Sequence, residues 1–129
     1  MKTPFIPISW GELFDKITIL QIKLENLKDK NALKNVKIEY EKLNSIFNEV
    51  FFENTKANQL IIDLKLINEK LWNIEDLIRD KERNKVFNKE FIELARKVYI
   101  TNDKRSRIKR KINETFGSEL VEEKSYADY

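Results

Sequence analysis

The chain has no histidine and no cysteine, so any proton transfer or cation binding falls to carboxylates, lysines and tyrosines. Glu12 and Asp15 stand three residues apart, as do Glu90 and Glu93. On a helix that spacing puts both carboxylates on one face. Two such pairs on neighbouring helices could hold a magnesium ion. Glu69, Glu75, Asp76 and Asp80 form a third acidic group. Other familiar chemistries are excluded by residue type. A Ser-His-Asp triad, thiolate zinc, iron–sulfur clusters and His-ligated metals all need residues that are missing here. The two glycines, Gly11 and Gly117, lie too far apart to form a phosphate-cradling loop.

Charge offers a second kind of chemistry. The 129 residues carry a net +3, unevenly placed. Residues 1–78 sum to −1, residues 79–111 to +8 and residues 112–129 to −4. All six arginines fall in the basic stretch. Arginine presents a planar fork suited to carboxylates and phosphates. The densest run, 103–111, exposes Lys104, Arg107, Arg110 and Lys111 as a candidate basic face for nucleic acid or a phosphorylated ligand. It lacks the interleaved aromatics that base stacking needs. The acidic tail, with Glu119, Glu122 and Glu123, could instead fold back and neutralise it.

These groups need elements to position them. Low Gly and Pro with 36% charged residues and 41% hydrophobic ones point to long helices. Four apolar rhythms with 3,4 spacing follow, each matching a helix and not a strand. The first is Leu13, Ile17, Leu20, Leu24 and Leu27, opened by a Ser9–Glu12 capping box. The second is Leu33, Val36, Tyr40, Leu43, Phe47 and Val50, with Asn31 or Asn35 as cap. The third runs from Leu60 through Leu64, Ile67, Leu71 and Ile74 to Ile78, after Asn54. The fourth follows Asn88 with Phe91, Leu94 and Val98, then resumes at Ile108, Ile112 and Phe116 before Gly117. Short links at 29–34, 52–57 and 84–89 make neighbours antiparallel. The expected fold is all-α: one domain over 1–129, an antiparallel bundle of about four helices, with an extended lead at 1–8 and an acidic tail at 118–129. A long-helix hairpin dimer is the alternative. Ile19, Ile22, Ile61, Ile62 and Trp72 widen the first and third helices beyond one seam. Packing on two neighbours explains this, and self-association is the other reading.

The fourth rhythm has a gap. After Val98 the seam meets Thr101 or Asn102 and then Arg105. It reads as a helix break or surface stretch, a buried polar layer, or a ligand site. Glu75, Asp76 and Arg79 on the third helix are the expected partners, although Glu75 and Arg79 also suit an ordinary i,i+4 pair.

Several stretches together resemble a small bacterial helical domain family of unknown function. They are Ile8 to Leu24 (ISWGELFDKITILQIKL), Leu71 to Arg79 (LWNIEDLIR), Leu94 to Arg105 (LARKVYITNDKR), Ile108 to Asn113 (IKRKIN) and Val121 to Tyr126 (VEEKSY). Residues 28–66 carry no part of the likeness. The resemblance implies no activity. It does imply a setting near surface sugars and glycosyltransferases, hence an accessory or adaptor role. The resembling motifs also contain the oddities noted above. Asp15, Lys16, Glu75, Asp76, Arg79, Asn102, Asp103 and Arg105 are expected to form one polar cluster at an end of the bundle. The tail residues Glu122, Glu123, Lys124 and Tyr126 are expected to join it.

The acidic pairs also resemble those of helical nucleotide pyrophosphatases, in reversed chain order. A cationic pocket like that of helical chorismate mutases is a further possibility. No residue demands either. The expected reading is therefore a non-catalytic interaction or adaptor module, self-associating or with a protein partner. It needs no metal and no cofactor. A nucleic-acid or phosphorylated-ligand binder using 79–111 is the alternative, and a helical enzyme is a third. No apolar run reaches the ~18 residues of a membrane span, and residues 1–10 lack a signal-peptide core. The expected location is cytoplasmic.

Overall fold

The computed structural model describes residues 1–129 and contains four helices and no strand. They are α1 (Trp10–Asn26), α2 (Lys30–Phe51), α3 (Thr55–Arg83) and α4 (Lys89–Thr115). Each starts on a side-chain cap that accepts a first-turn N–H. Ser9 Oγ takes the Glu12 N–H at 3.1 Å, and Asp29 takes that of Ala32 at 2.8 Å. Asn54 takes Ala57 N–H at 2.9 Å, and Asn88 takes Phe91 N–H at 3.1 Å. The Ser9 cap is the one expected from the sequence, and Asn54 and Asn88 are the residues after which the third and fourth rhythms open. The α2 cap is Asp29, not Asn31 or Asn35, because the link after α1 is shorter than expected. At the far end of α4, Gly117 adopts φ 59°, and Ser118 N–H bonds back to Asn113 O at 2.8 Å. That is the left-handed stop a glycine permits.

The helices pack as a bundle with α1 at its centre. α1 lies against α2, α3 and α4, α3 pairs along α4, and α2 meets mainly α1. The core gathers Leu13, Phe14 and Ile17 of α1, Phe47 and Phe51 of α2, Ala57, Leu60 and Leu64 of α3, and Ile112 of α4. Phe14 is fully buried and meets Phe47, Phe51 and Phe116 with ring centroids 5.1, 5.2 and 5.9 Å away. On α2 the buried residue near the C-terminus is Phe51, and Val50 faces out. The helix turns its aromatic ring toward α1 because Phe14 and Trp10 offer it edge contacts.

Lengths then dictate shape. At 1.5 Å per residue, α1 spans ~25 Å and α3 ~43 Å. The buried residues of α3 all lie between Ala57 and Asn68, and those of α4 between Thr101 and Asn113. The rest of the α3–α4 hairpin runs past α1 with one seam half-buried. Its turn places Lys85 at φ 56°, and Val86 N–H bonds Lys81 O at 3.0 Å. A side chain strains this left-handed position, and glycine does not. Lys85→Gly is expected to stabilise the protein by about 1 kcal/mol, raising the melting temperature by about 4 °C in a thermal scan.

Helix α4 is unbroken through Tyr99 to Arg105. The gap in its rhythm is therefore a polar layer inside a continuous helix. Thr101 is the buried seam residue, and Asn102 is exposed.

Candidate functional site

The first turns of α1 run antiparallel to the second half of α4, and polar contacts follow that register. Gly11 N–H donates to Asn113 Oδ1 at 2.7 Å. Lys109 Nζ donates to Glu12 at 3.0 Å. Arg105 grips Asp15 with two hydrogen bonds, Nε to Oδ1 at 3.0 Å and Nη2 to Oδ2. Beyond the α1 start, Trp10 N–H reaches Ser118 Oγ at 3.2 Å. Acids sit near the N-terminus of α1 and cations in the later turns of α4, where each suits the local helix dipole.

Asp15 is the centre. It is 1% exposed in the middle of the bundle. Asn68 of α3 donates one amide N–H to Asp15 Oδ1 and one to Thr18 Oγ1, both at 2.9 Å. Thr18 donates to the Asp15 carbonyl at 2.8 Å. Lys109 Nζ lies 3.7 Å from the carboxylate. Burial alone would raise the Asp15 pKa. The hydrogen bonds from Arg105 and Asn68 and the charges of Arg105 and Lys109 outweigh it, so the pKa is lowered. Arg105 is correspondingly raised, mainly by its hydrogen bond to Asp15. Lys109 loses affinity for its proton through burial but regains more from Glu12, Asp15 and Glu122, so it too is raised. No buried side-chain polar atom lacks a partner. The layer is a closed network, the condition under which buried charge is tolerated.

The tail lies back along α4. Glu122 accepts from Lys109 at 3.3 Å, and Glu123 pairs with Arg110 at 3.3 Å. Tyr129 donates its hydroxyl to Asp103, and its ring meets Tyr99 edge-on at 5.3 Å. Lys124 pairs with Glu122 at 2.8 Å. Tyr126 stays exposed on the wall of a groove of about 660 Å³ between tail and helix.

The expected cluster is thus partly assembled. Asp15, Asn102 and Arg105 meet directly, with Arg105 also donating to Asn102 at 3.0 Å. Glu122 joins through Lys109. Glu75, Asp76 and Arg79 share a smaller pocket of about 350 Å³ with Arg105, walled by Ile19, Ile22 and Trp72. Arg79 itself pairs with Glu75 on its own helix. Lys16 faces solvent outside the network. Of the basic face, Arg110 is engaged by Glu114 and Glu123, while Lys104, Arg107 and Lys111 are exposed and make no ion pair.

Lys109, Asn68, Thr18 and Asn113 complete the layer without standing out by residue type. A signal exists for each. Gly11, Asp15, Thr18 and Ile22 form a second seam on α1 at 4,3,4 spacing. Thr101, Arg105, Lys109 and Asn113 form an i+4 row on α4, hidden inside a basic run. Asn68 stands four residues after Leu64, beside Ile67 of the α3 seam, on the turn that faces α1. Of the acidic pair on α1, Glu12 and Asp15 are both turned to cations of α4, and no three carboxylates gather as a metal site.

A family model described as a family of unknown function (DUF6165) matches residues 5–129. The chain belongs to that family. The match takes in the polar layer, the glycine stop and the tail, so all three lie within the DUF6165 unit. No curated protein and no solved structure matches the chain.

Proposed function

We propose that this DUF6165 chain is a non-catalytic interaction module, and that a second copy is its simplest partner. The carrying observation is the projecting half of the α3–α4 hairpin. Between Glu69 and Ile100 no residue is buried. Leu77, Phe87 and Ile92 keep 55%, 56% and 57% of their surface, and Trp72, Ile74, Ile78 and Phe91 are only half-covered. A helical hairpin with one seam lacks the second layer that stable helical arrangements use, and apolar surface of this kind marks association sites. The charged groups of the polar layer, by contrast, are occupied with one another, which suits a structural part of a platform.

A cytoplasmic, bacterial adaptor to a surface-sugar or glycosyltransferase system is the setting suggested by the sequence resemblance. No helix is long and apolar enough to cross a membrane, in keeping with that location. Sedimentation equilibrium from ~1 to ~200 µM tests the association. The expected result is a mass that rises with concentration, and Leu77→Glu with Ile92→Glu holds the chain at monomer mass with an unchanged melting temperature. A constant monomer mass for the unaltered chain overturns the self-association reading.

A further inference from the structure

The basic stretch 79–111 divides into cations the fold has already used and cations it has not. Arg79, Arg83, Arg105 and Arg110 each hold a carboxylate, and so do Lys81 and Lys109. Lys85 pairs loosely with Glu82, and Lys89 and Arg96 hold none. Lys97, Lys104, Arg107 and Lys111 are the four exposed, unpaired cations of α4 from Lys97 onward. Their spacing makes them one surface. Residues seven apart on a helix differ by only about 20° in direction, so Lys97, Lys104 and Lys111 form a nearly straight row ~21 Å long. Arg107 flanks it. Asp103 is the one carboxylate between Lys97 and Lys111, and it is occupied by the Tyr129 hydroxyl.

We propose that this row is a docking surface for the phosphodiester backbone of a nucleic acid, read without regard to base sequence. A rigid row of cations ~21 Å long offers about four phosphate contacts to a nucleic-acid backbone, one for each of its side chains. The row's own side chains carry no aromatic ring; Tyr99 and Tyr129 pack edge-on beside it at Asp103, and stacking on such rings is tolerant of base sequence. An anionic membrane fits less well. An amphipathic helix binds lipid by inserting its apolar face, and the apolar side chains of α4 between Lys104 and Lys111 and just beyond, Ile108 and Ile112, are packed against the core. The acidic tail occupies Lys109 and Arg110 and lies over the Arg107 side of the row, where Tyr129 meets Asp103, while Lys97, Lys104 and Lys111 stay exposed and without a carboxylate.

Fluorescence anisotropy with a labelled 20-base-pair DNA duplex and the full chain tests this. Four phosphate contacts predict an affinity that falls about 100-fold between 50 and 200 mM salt. Lys104→Glu, Arg107→Glu and Lys111→Glu together, all exposed, are expected to abolish binding without moving the melting temperature. Arg79→Gln with Arg83→Gln, which removes two cations already paired, is expected to change affinity less than twofold. The proposal is overturned by absence of binding at 50 mM salt and 100 µM protein. It is equally overturned if the paired-cation control loses as much as the triple variant, which would indicate bulk charge alone. Tighter binding to phosphatidylserine vesicles, or equal displacement by polyglutamate, would assign the row to a membrane or an acidic protein and overturn it too.

Discussion

Asp15→Ala is expected to destabilise the protein by about 3 kcal/mol, the largest loss we anticipate from any surface-neutral polar change. Removing this carboxylate leaves Arg105 and Lys109 facing each other in the bundle without their shared counter-charge, and leaves Asn68 with one donor unsatisfied. Breaking a buried pair by removing one partner costs about 3–5 kcal/mol. The low end applies because Arg105 keeps 25% of its side-chain exposure and can reorient into water. Urea denaturation checks the value. Asp15→Asn is expected to lose less, since its oxygen still accepts from Asn68 and Arg105. The same carboxylate sets a pH dependence. Its pKa is lower folded than unfolded, so its contribution is complete above the ordinary aspartate value of about 3.9. That contribution fades as pH falls toward the folded pKa. Stability should therefore drop below about pH 4 in the unaltered protein, and the drop should be shallower in Asp15→Asn.

Gly11→Ala is expected to cost about 2 kcal/mol or more, although alanine is the better helix former. An added Cβ would lie 2.6 Å from the Lys109 carbonyl oxygen and 2.9 Å from Asn113 Oδ1. The nearer atom is backbone in the middle of α4, so it cannot turn aside. α1 must lift from α4, which lengthens the Gly11–Asn113 bond and pulls Asp15 from Arg105. Comparing Gly11→Ala with Gly117→Ala separates this cause from helix propensity. The second site has open space around it and is strained only through its φ of 59°, so its loss should be near 1 kcal/mol. An equal loss at both sites, measured by thermal melting, would show that α1 does not press on α4 at Gly11.

Much of the architecture is legible in residue order. The 3,4 rhythm of Leu60, Leu64 and Ile67 and the caps at Ser9, Asn54 and Asn88 give helices directly, because both signals act within a few residues of themselves. The site is less legible. Asp15 and Arg105 stand out by type, yet Lys109 is one cation among nine residues of a basic run, and nothing local tells it from Lys111. Only the direction each side chain takes from α4 separates them.

Residue types and their periodicity determined that this chain is helical, where all its helices but the second begin, and that its charge is divided into a neutral part, a basic segment and an acidic tail. They also determined that histidine and cysteine chemistry is absent, since a missing residue needs no structure to exclude it. Tertiary structure decided which charges are spent. Ion pairing depends on distances across elements some 90 residues apart in sequence, as between Asp15 and Arg105, and the antiparallel register of α1 on α4 creates those distances. That register takes Arg105, Lys109 and Arg110 into the fold's own contacts and leaves Lys97, Lys104, Arg107 and Lys111 facing water.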